Sequence, residues 1–120
     1  MASQMPKSDN DSFPVLTPNY KLWLEYRGKY VFGPGAYALL MSIQKNGSIS
    51  EAAKEQKMSY RYAWGVIREI ERVLNANLIE SFKGGRKGGG GARVTEYGHS
   101  LMDIYSRVSA AFARSVESLG

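Results

Sequence analysis

The order of apolar and polar positions predicts two short hairpins and four helices. The run KLWLEYRGKYVF, from Lys21 to Phe32, is rich in β-forming residues and predicts a hairpin that turns at Gly28. Pro34 then suits the first turn of a helix in which apolar residues recur at helical spacing. Gly47 is placed to cap the C-terminus of that helix.

The next two helices are predicted from their capping residues. Ser48 to Glu51 has the sequence of a capping box, in which the Ser48 hydroxyl accepts from the Glu51 amide and the carboxylate reaches back. The helix that it opens is short and contains paired alanines that allow close packing. Ser59 is the predicted N-cap of a third helix that runs to about Asn75. Two helices joined by so short a turn indicate a helix-turn-helix.

The third helix is predicted to have an apolar face and an opposite basic face. At about 100° per residue, one stripe is apolar and is expected to be buried; it comprises Ala63, Val66, Ile67, Ile70 and Leu74. The opposite stripe comprises Arg61, Gly65, Arg68 and Arg72, with Tyr60 and Trp64 on one flank. A basic stripe fits either a solvated surface or a helix lying along DNA. An exposed glycine in mid-helix costs about 1 kcal/mol relative to alanine, so Gly65 favours a face that a ligand approaches closely.

Two short strands are predicted at Leu78–Phe82 and Ala92–Thr95, joined by Lys83 to Gly91. The stretch SFKGGRKGGGGARVT contains six glycines, four basic residues and no acid. A phosphate-binding loop would need GxxxxGK followed by Ser or Thr between a strand and a helix, which this stretch lacks. An interdomain linker is excluded because apolar structure continues on both sides. A hairpin after a helix-turn-helix predicts a winged helix with this loop as its wing, and we expect the tip, about Gly84 to Gly91, to be mobile without DNA.

The last helix is predicted to run from about residue 95 to 119, and it is much longer than the others. Its apolar stripe extends beyond what one small domain covers, so we expect it to dimerise the protein. The stripe contains Leu101, Ile104, Tyr105, Val108, Phe112 and Leu119, with Ser115 in the same row.

Composition limits the chain to one modest domain. Its 120 residues, 43% of them hydrophobic, suffice for one core. Cysteine is absent, which excludes disulfides, thiol catalysis and zinc–thiolate sites. The N-terminus has no apolar core typical of a signal peptide, and no run approaches the ~20 apolar residues that span a bilayer. We expect a disordered tail over residues 1–19, one domain over residues 20–120, no membrane partner and a cytoplasmic, nucleoid-associated location.

The charge distribution favours a polyanionic partner. The net charge is +5, and the segment from Lys54 to Arg93 alone, with nine basic and four acidic residues, also carries +5. His99 is the only histidine, and it has no second imidazole or thiol nearby in sequence. We therefore expect no catalytic residue, no metal site, no cofactor and no enzymatic activity.

Specific motifs resemble the N-terminal winged-helix domain of the molybdate-responsive regulators of the ModE family, and more distantly LysR-type DNA-binding domains. They are GSIS-x-AA, MSYR-x-AW and GG-x-x-GGGGA-x-x-T, within a resemblance that covers about Trp23 to Tyr105. The resemblance implies a dimeric transcriptional regulator. The molybdate-binding domains of that family lie C-terminal to this unit, so oxyanion sensing is not carried over and any effector stays unknown.

The resulting prediction is an α+β, mainly helical, winged helix-turn-helix with an N-terminal β-hairpin and a long C-terminal dimerisation helix. The predicted function is a homodimeric transcriptional regulator of double-stranded DNA; an architectural DNA-binding protein with little sequence preference and a protein–protein adaptor are the alternatives. The predicted DNA-binding residues of the third helix are Ser59, Tyr60, Arg61, Trp64, Gly65, Arg68 and Arg72. Those of the wing are Lys83, Arg86, Lys87 and Arg93, placed to contact the DNA backbone or minor groove.

Overall fold

A computed structural model describes residues 12–83 and 90–119 of the chain. Within these ranges two strands come first, β1 (Leu24–Tyr26) and β2 (Lys29–Phe32). Three helices follow, α1 (Pro34–Asn46), α2 (Ile49–Glu55) and α3 (Tyr60–Leu74). Strands β3 (Ile79–Phe82) and β4 (Gly91–Val94) precede the final helix α4 (Glu96–Leu119). This order confirms the predicted winged helix-turn-helix with an N-terminal hairpin.

The N-terminal hairpin turns through two residues in the left-handed backbone region. Arg27 has φ 52° and Gly28 has φ 78°, and β1 pairs antiparallel with β2 so that Tyr26 lies opposite Lys29. Two successive residues with positive φ are typical of the tight turns that match the twist of a hairpin. The predicted turn at Gly28 is confirmed, and Arg27 shares it.

The caps of the central helices are largely as predicted. Pro34 begins α1, and Gly47 ends it in the left-handed region at φ 68°. The Ser48 hydroxyl accepts from the Glu51 amide at 3.1 Å, and the Ser59 hydroxyl accepts from the Tyr62 amide at 3.0 Å. The reciprocal half of the capping box is wrong, because the Glu51 carboxylate faces Lys54 at 3.7 Å.

The core lies where α1, α2, α3 and β2 meet the start of β3, β4 and the first half of α4. Its largest fully buried side chains are Phe32, Leu39, Leu40, Ile43, Ile67 and Leu78. The paired alanines of α2 are buried as well, which lets α1 and α3 pack closely on that short helix. On α3, Ala63, Ile67 and Ile70 are buried as predicted, whereas Val66 and Leu74 are half-buried.

The wing strands pair antiparallel over four residues, from Ile79 opposite Val94 to Phe82 opposite Gly91. The base of the wing is tied to the scaffold, because the Ala92 amide donates to the Gly47 carbonyl at 3.0 Å. Strand β3 begins one residue later than predicted and ends at Phe82 as predicted, and β4 begins and ends one residue earlier than predicted. The predicted wing residues Arg86 and Lys87, and the predicted mobility of most of the tip, lie outside the described residues.

Helix α4 packs on the domain through its first half. Gly98, Met102 and Tyr105 are buried, and the Tyr105 hydroxyl donates to the Leu22 carbonyl at 3.0 Å. At Gly98 the backbone approaches so closely that an added Cβ would lie 2.9 Å from the Leu78 carbonyl. Residues 12–19 of the predicted tail are exposed and form no helix or strand, and residues 1–11 are outside the described ranges.

Candidate nucleic-acid interface

The predicted basic stripe of α3 faces solvent along its whole length. Arg61, Gly65, Arg68 and Arg72 are all exposed, opposite the buried Ala63 and Ile67. Ser59 begins the helix as its N-cap, and Tyr60, next in the chain, is 55% exposed. The structure therefore exposes the predicted DNA-binding residues of the helix, except that Trp64 is half-buried against the core.

The middle arginine of the stripe is held by two neighbours. The Arg68 guanidinium carbon lies 4.3 Å from the centroid of the Trp64 ring. Its Nη1 atom also donates to a Glu71 carboxylate oxygen at 3.2 Å. Trp64, predicted to contact DNA, thus also orients Arg68 through a cation–π contact.

The last arginine of the stripe forms a bidentate ion pair. Arg72 donates from Nε and Nη2 to the two carboxylate oxygens of Glu69, at 3.2 and 2.7 Å. The hydrogen bonds and charge of Glu69 raise the pKa of Arg72. The hydrogen bonds and charge of Arg72 lower the pKa of the Glu69 carboxyl, and the charge of the nearby Lys29 ammonium lowers it by a smaller amount. The positive charge of Arg72 is therefore largely compensated within the helix.

Arg61 differs from the other two arginines. Within residues 12–83 and 90–119, it makes no ion pair, whereas Arg68 and Arg72 each face a carboxylate. It lies in the first turn of α3, beside the exposed Gly65 surface. Its guanidinium is thus the member of the stripe with all of its donors available.

Glu71 is a structural residue of this surface that sequence reasoning missed. Only 10% of its side chain is exposed, and its Oε2 atom accepts from the backbone amides of Leu78 at 2.8 Å and Ile79 at 3.4 Å. The other carboxylate oxygen, Oε1, accepts from Arg68 Nη1. One carboxylate therefore fixes the start of the wing strand and the middle arginine of α3 at the same time.

The described part of the wing carries two of its four predicted basic residues. Arg93 donates to the Glu80 carboxylate at 2.9 Å across the strand pair, and its guanidinium carbon lies 5.7 Å from the Phe82 ring centroid. Lys83 is exposed at the end of β3. An added Cβ at Gly91 would lie 2.6 Å from that ring, which explains glycine there.

A cleft of about 410 Å³ lies between α3 and the wing. Tyr60 and Trp64 line it from α3, and Phe82 and Lys83 line it from the wing. The start of α2 adds Ser48 and Ser50 at its edge. Hydroxyls and an ammonium beside apolar rings are groups that bind sugar–phosphate backbone.

The predicted dimerisation stripe of α4 is only partly accessible. Ile104 and Phe112 are about half exposed, at 46% and 49%, and Leu119 is 82% exposed. Leu101 and Val108 are half-buried. Tyr105 belongs to the same predicted stripe, but it is buried against Phe32, with ring centroids 5.6 Å apart. Burial raises the pKa of the Tyr105 hydroxyl. Because its own chain already covers this side chain, we leave Tyr105 out of the proposed dimer surface.

Other kinds of site receive no support from the described residues. In those ranges no three His, Cys, Asp or Glu side chains cluster in a way that could hold a metal ion. None of the helices between residues 12 and 119 combines the length and the apolar character required to cross a membrane.

The chain is similar to several curated regulators, although no protein-family model matches it. The transcriptional regulator ModE of Yersinia pestis is 36% identical over 98 residues, which are 82% of this chain and 37% of that protein. The DNA-binding transcriptional dual regulator ModE of Escherichia coli K12 is 40% identical over 84 residues, 70% of this chain and 32% of that protein. The chain spans about a third of the length of these relatives. The identities confirm the predicted resemblance to the N-terminal region of ModE regulators.

Solved structures with the same fold include DNA complexes. The DNA-binding domain of CbnR in complex with DNA superposes with a TM-score of 0.53 at 20% identity, covering 69% of this chain and 88% of that one. Full-length CbnR complexed with its target DNA superposes with a TM-score of 0.52 at 20% identity, covering 69% of this chain and 27% of that one. This likeness shows that the chain has the winged-helix fold of the CbnR DNA-binding domain.

Proposed function

We propose that the chain is a DNA-binding transcriptional regulator that inserts α3 into the major groove of double-stranded DNA. The observation that carries the proposal is the exposed arginine stripe of α3, directly opposite the buried face and bordered by the wing. A helix with this division of faces presents its guanidinium groups to base edges and phosphates while its other side stays in the core. The names of the E. coli and Y. pestis relatives, and the CbnR complexes, support the same function.

Within this proposal the residues divide by role. Arg61 reads base edges, because it lies in the first turn of α3 with its donors available. Arg68 and Arg72, held by carboxylates, position the helix on the phosphates, together with Ser59, Tyr60 and Trp64. Gly65 allows close approach of the helix backbone. The wing residues Lys83 and Arg93, with Arg86 and Lys87, contact backbone or minor groove.

The proposed active species is a homodimer that acts in the cytoplasm, on the nucleoid. Three apolar residues of α4 are exposed: Ile104 on the outer side of the part that packs on its own domain, and Phe112 and Leu119 beyond that part. A second copy of α4 would cover them. Two copies of α3 would then enter successive major grooves, about 34 Å apart.

An architectural DNA-binding protein is the second candidate, and one observation favours it. Two of the three arginines on α3 are already paired with glutamates of the same helix, which leaves few free donors for reading bases. A protein of this kind would bind through phosphates and DNA shape, with little preference among sequences.

Competition binding distinguishes the two candidates. Sites selected from a random duplex library by the wild-type protein are labelled and competed with unselected duplex at fixed salt. A regulator should prefer its selected site by at least about 10³-fold, whereas an architectural protein should select no site. Phosphate contacts still contribute at ~0.1 M salt. If neither duplex is bound at that concentration, the proposal that the protein binds DNA is wrong. The adaptor alternative is then favoured.

A further inference from the structure

The proposed function leaves the N-terminal hairpin without a role. Its tip carries Arg27 and Lys29, both exposed. The acid of the hairpin, Glu25, accepts from the Trp23 indole at 2.9 Å. Within the described residues neither Arg27 nor Lys29 forms an ion pair, so the tip presents two positive charges that no carboxylate contacts directly.

The hairpin lies on the flank of α3 opposite the wing. A groove of about 310 Å³ is lined by Tyr30 and Val31 of β2 and by Tyr62, Val66 and Glu69 of α3. The cleft on the wing side is instead lined by Tyr60 and Trp64. These two sets project from α3 in different directions at 100° per residue. Helix α3 therefore has one two-stranded hairpin on each side.

The hairpin side is continuous with the exposed face of α3. Tyr62, Val66 and Glu69 line both the hairpin groove and the open surface around Arg61 and Gly65. Lys29 immediately precedes Tyr30 and Val31, which line that groove from β2. The hairpin tip therefore lies beside the α3 surface that is proposed to face DNA, and the Lys29 charge adds to the larger effect of Arg72 in lowering the pKa of Glu69.

The tip is also held in one shape. Its turn uses two left-handed residues and no additional loop. Behind it, Tyr30 packs on Trp23 with ring centroids 5.9 Å apart. An added Cβ at Gly33 would lie 2.0 Å from the Tyr30 hydroxyl, so the glycine allows this ring to pack against the backbone. Cations on a preorganised turn lose little conformational entropy when they bind an anion.

We propose that the N-terminal hairpin is a second DNA-contacting element, in which Arg27 and Lys29 bind the phosphate backbone on the side of α3 away from the wing. The proposal rests on the proposed function and adds a contact to it. Positive charge facing a polyanion is the complementarity that favours this occupant over an apolar partner. The N-terminal hairpin and the wing would then contact the DNA phosphate backbone on opposite sides of the inserted helix.

The first test measures the salt dependence of duplex binding. Removing both charges in Arg27→Gln/Lys29→Gln should lower the log–log salt slope by about 0.9 per lost phosphate contact, up to about 1.8 per protomer. Affinity at 0.1 M salt should fall about tenfold per contact, by the same amount for all duplex sequences. The matched control is Arg107→Gln/Arg114→Gln, which removes two charges from α4 and should leave both quantities unchanged.

The second test locates the hairpin on the DNA. Because the chain has no cysteine, Lys29→Cys introduces a single thiol for a tethered iron–EDTA cleavage reagent. A second single-thiol variant, Ser81→Cys on the wing, marks the other flank. The two should cleave the duplex on opposite sides of the segment covered by α3.

The outcomes separate this inference from the proposed function. If the wild type binds duplex DNA but the hairpin variant keeps its salt slope, or if the Lys29→Cys reagent does not cleave, the inference is wrong and the function stands. If the variant loses affinity for single-stranded RNA and not for duplex DNA, the hairpin binds a different polyanion and the inference is also wrong. If the wild type has no affinity for DNA, both fail. Unfolding curves of every variant establish that each one is folded.

Discussion

The Glu71 carboxylate accepts a hydrogen bond from the Leu78 amide at 2.8 Å, which joins α3 to the residue that precedes β3. The chain reverses between them at Asn75, which has φ 54°. Leu78 is itself fully buried, so its amide has no access to water. A polar contact inside the protein therefore ties the start of the wing to α3.

Replacing Glu71 should destabilise the fold. Glu71→Ala leaves the buried Leu78 amide without its acceptor, which should cost about 1–3 kcal/mol of unfolding free energy, measured by urea denaturation. The control is Glu69→Ala, which removes an exposed partner of Arg72 and should cost no more than about 1 kcal/mol. Equal losses for the two variants would mean that the buried contact has no special importance.

Replacing Gly65 should have opposite effects on stability and binding. A Cβ at this position meets nothing within 4 Å, so Gly65→Ala should stabilise the free protein by up to about 1 kcal/mol. It should nevertheless weaken DNA binding if the α3 backbone closely approaches its target. Unchanged affinity would remove Gly65 from the interface.

A glycine-to-alanine control is available in α4. An added Cβ at Gly98 would lie 2.6 Å from the Val94 Cγ1 atom and 2.9 Å from the Leu78 carbonyl. Gly98→Ala should therefore destabilise the protein by about 1–3 kcal/mol. Thermal or urea unfolding of the two variants should give shifts of opposite sign.

Arg61 and the wing should affect DNA binding differently. Arg61→Ala should cost about 1–3 kcal/mol and relax the sequence preference. Arg86→Ala/Lys87→Ala should weaken binding to all DNA sequences equally. It should also lower the log–log salt slope of binding by up to about 1.8 per protomer. Site selection and salt titration measure the two effects. Selection of the same site by Arg61→Ala would show that this residue does not read bases.

Helix α4 should determine the oligomeric state. Ile104→Glu places a charge on the exposed apolar stripe and should convert a dimer to a monomer in sedimentation velocity. Ser106→Glu changes an exposed residue outside the stripe and should have no effect. Truncation after Ser106 keeps the buried Met102 and Tyr105 and should also give a monomer. If the truncated chain had the same oligomeric state as the full chain, α4 would be excluded as the dimer interface.

Acid should weaken the contact between α1 and α2. Lys45, Ser42 and Asn46 donate to the Glu55 carboxylate and lower its pKa to about 2 from the usual 4.5. A folded pKa below the unfolded value stabilises the fold above pH 4.5, and this contribution disappears as the pH falls from 4.5 towards 2.

Urea midpoints measured across that pH range test the network. The decline of the urea midpoint with falling pH should be shallower in Glu55→Gln, because the amide gains no proton. It should also be shallower in Asn46→Ala, which removes one hydrogen-bond donor to the Glu55 carboxylate. A Glu55→Gln protein that loses stability over this pH range as steeply as the wild type would show that other groups control acid unfolding.

The elements of the fold were predictable because their signals are local. Gly28, Gly47, Ser48 and Ser59 each mark a turn or a cap whose geometry depends on neighbouring residues alone. The basic stripe of α3 was predictable for the same reason, since helical periodicity separates it from the buried stripe. The exposure of that stripe in the structure agrees with the prediction, whereas its contact with DNA stays a proposal.

What could not be predicted depends on contacts between distant residues. At about 80° from Ala63 on the helical wheel, Glu71 lies at the edge of the buried stripe, which is the one signal that it differs from the exposed Glu69. Its role depends on where the chain returns at Leu78. Tyr105 has the periodicity of the α4 stripe, and periodicity cannot distinguish burial against Phe32 of the same chain from burial against a second copy.

The wing is attached separately at each of its strands, to Glu71 through β3 and to the Gly47 carbonyl through β4. Residues added or removed between Phe82 and Gly91 leave both attachments in place. The number and identity of those residues are therefore free to change without any compensating change in α3. Evolution or protein engineering can alter the length and charge of this loop while the proposed DNA-facing residues of α3 stay the same.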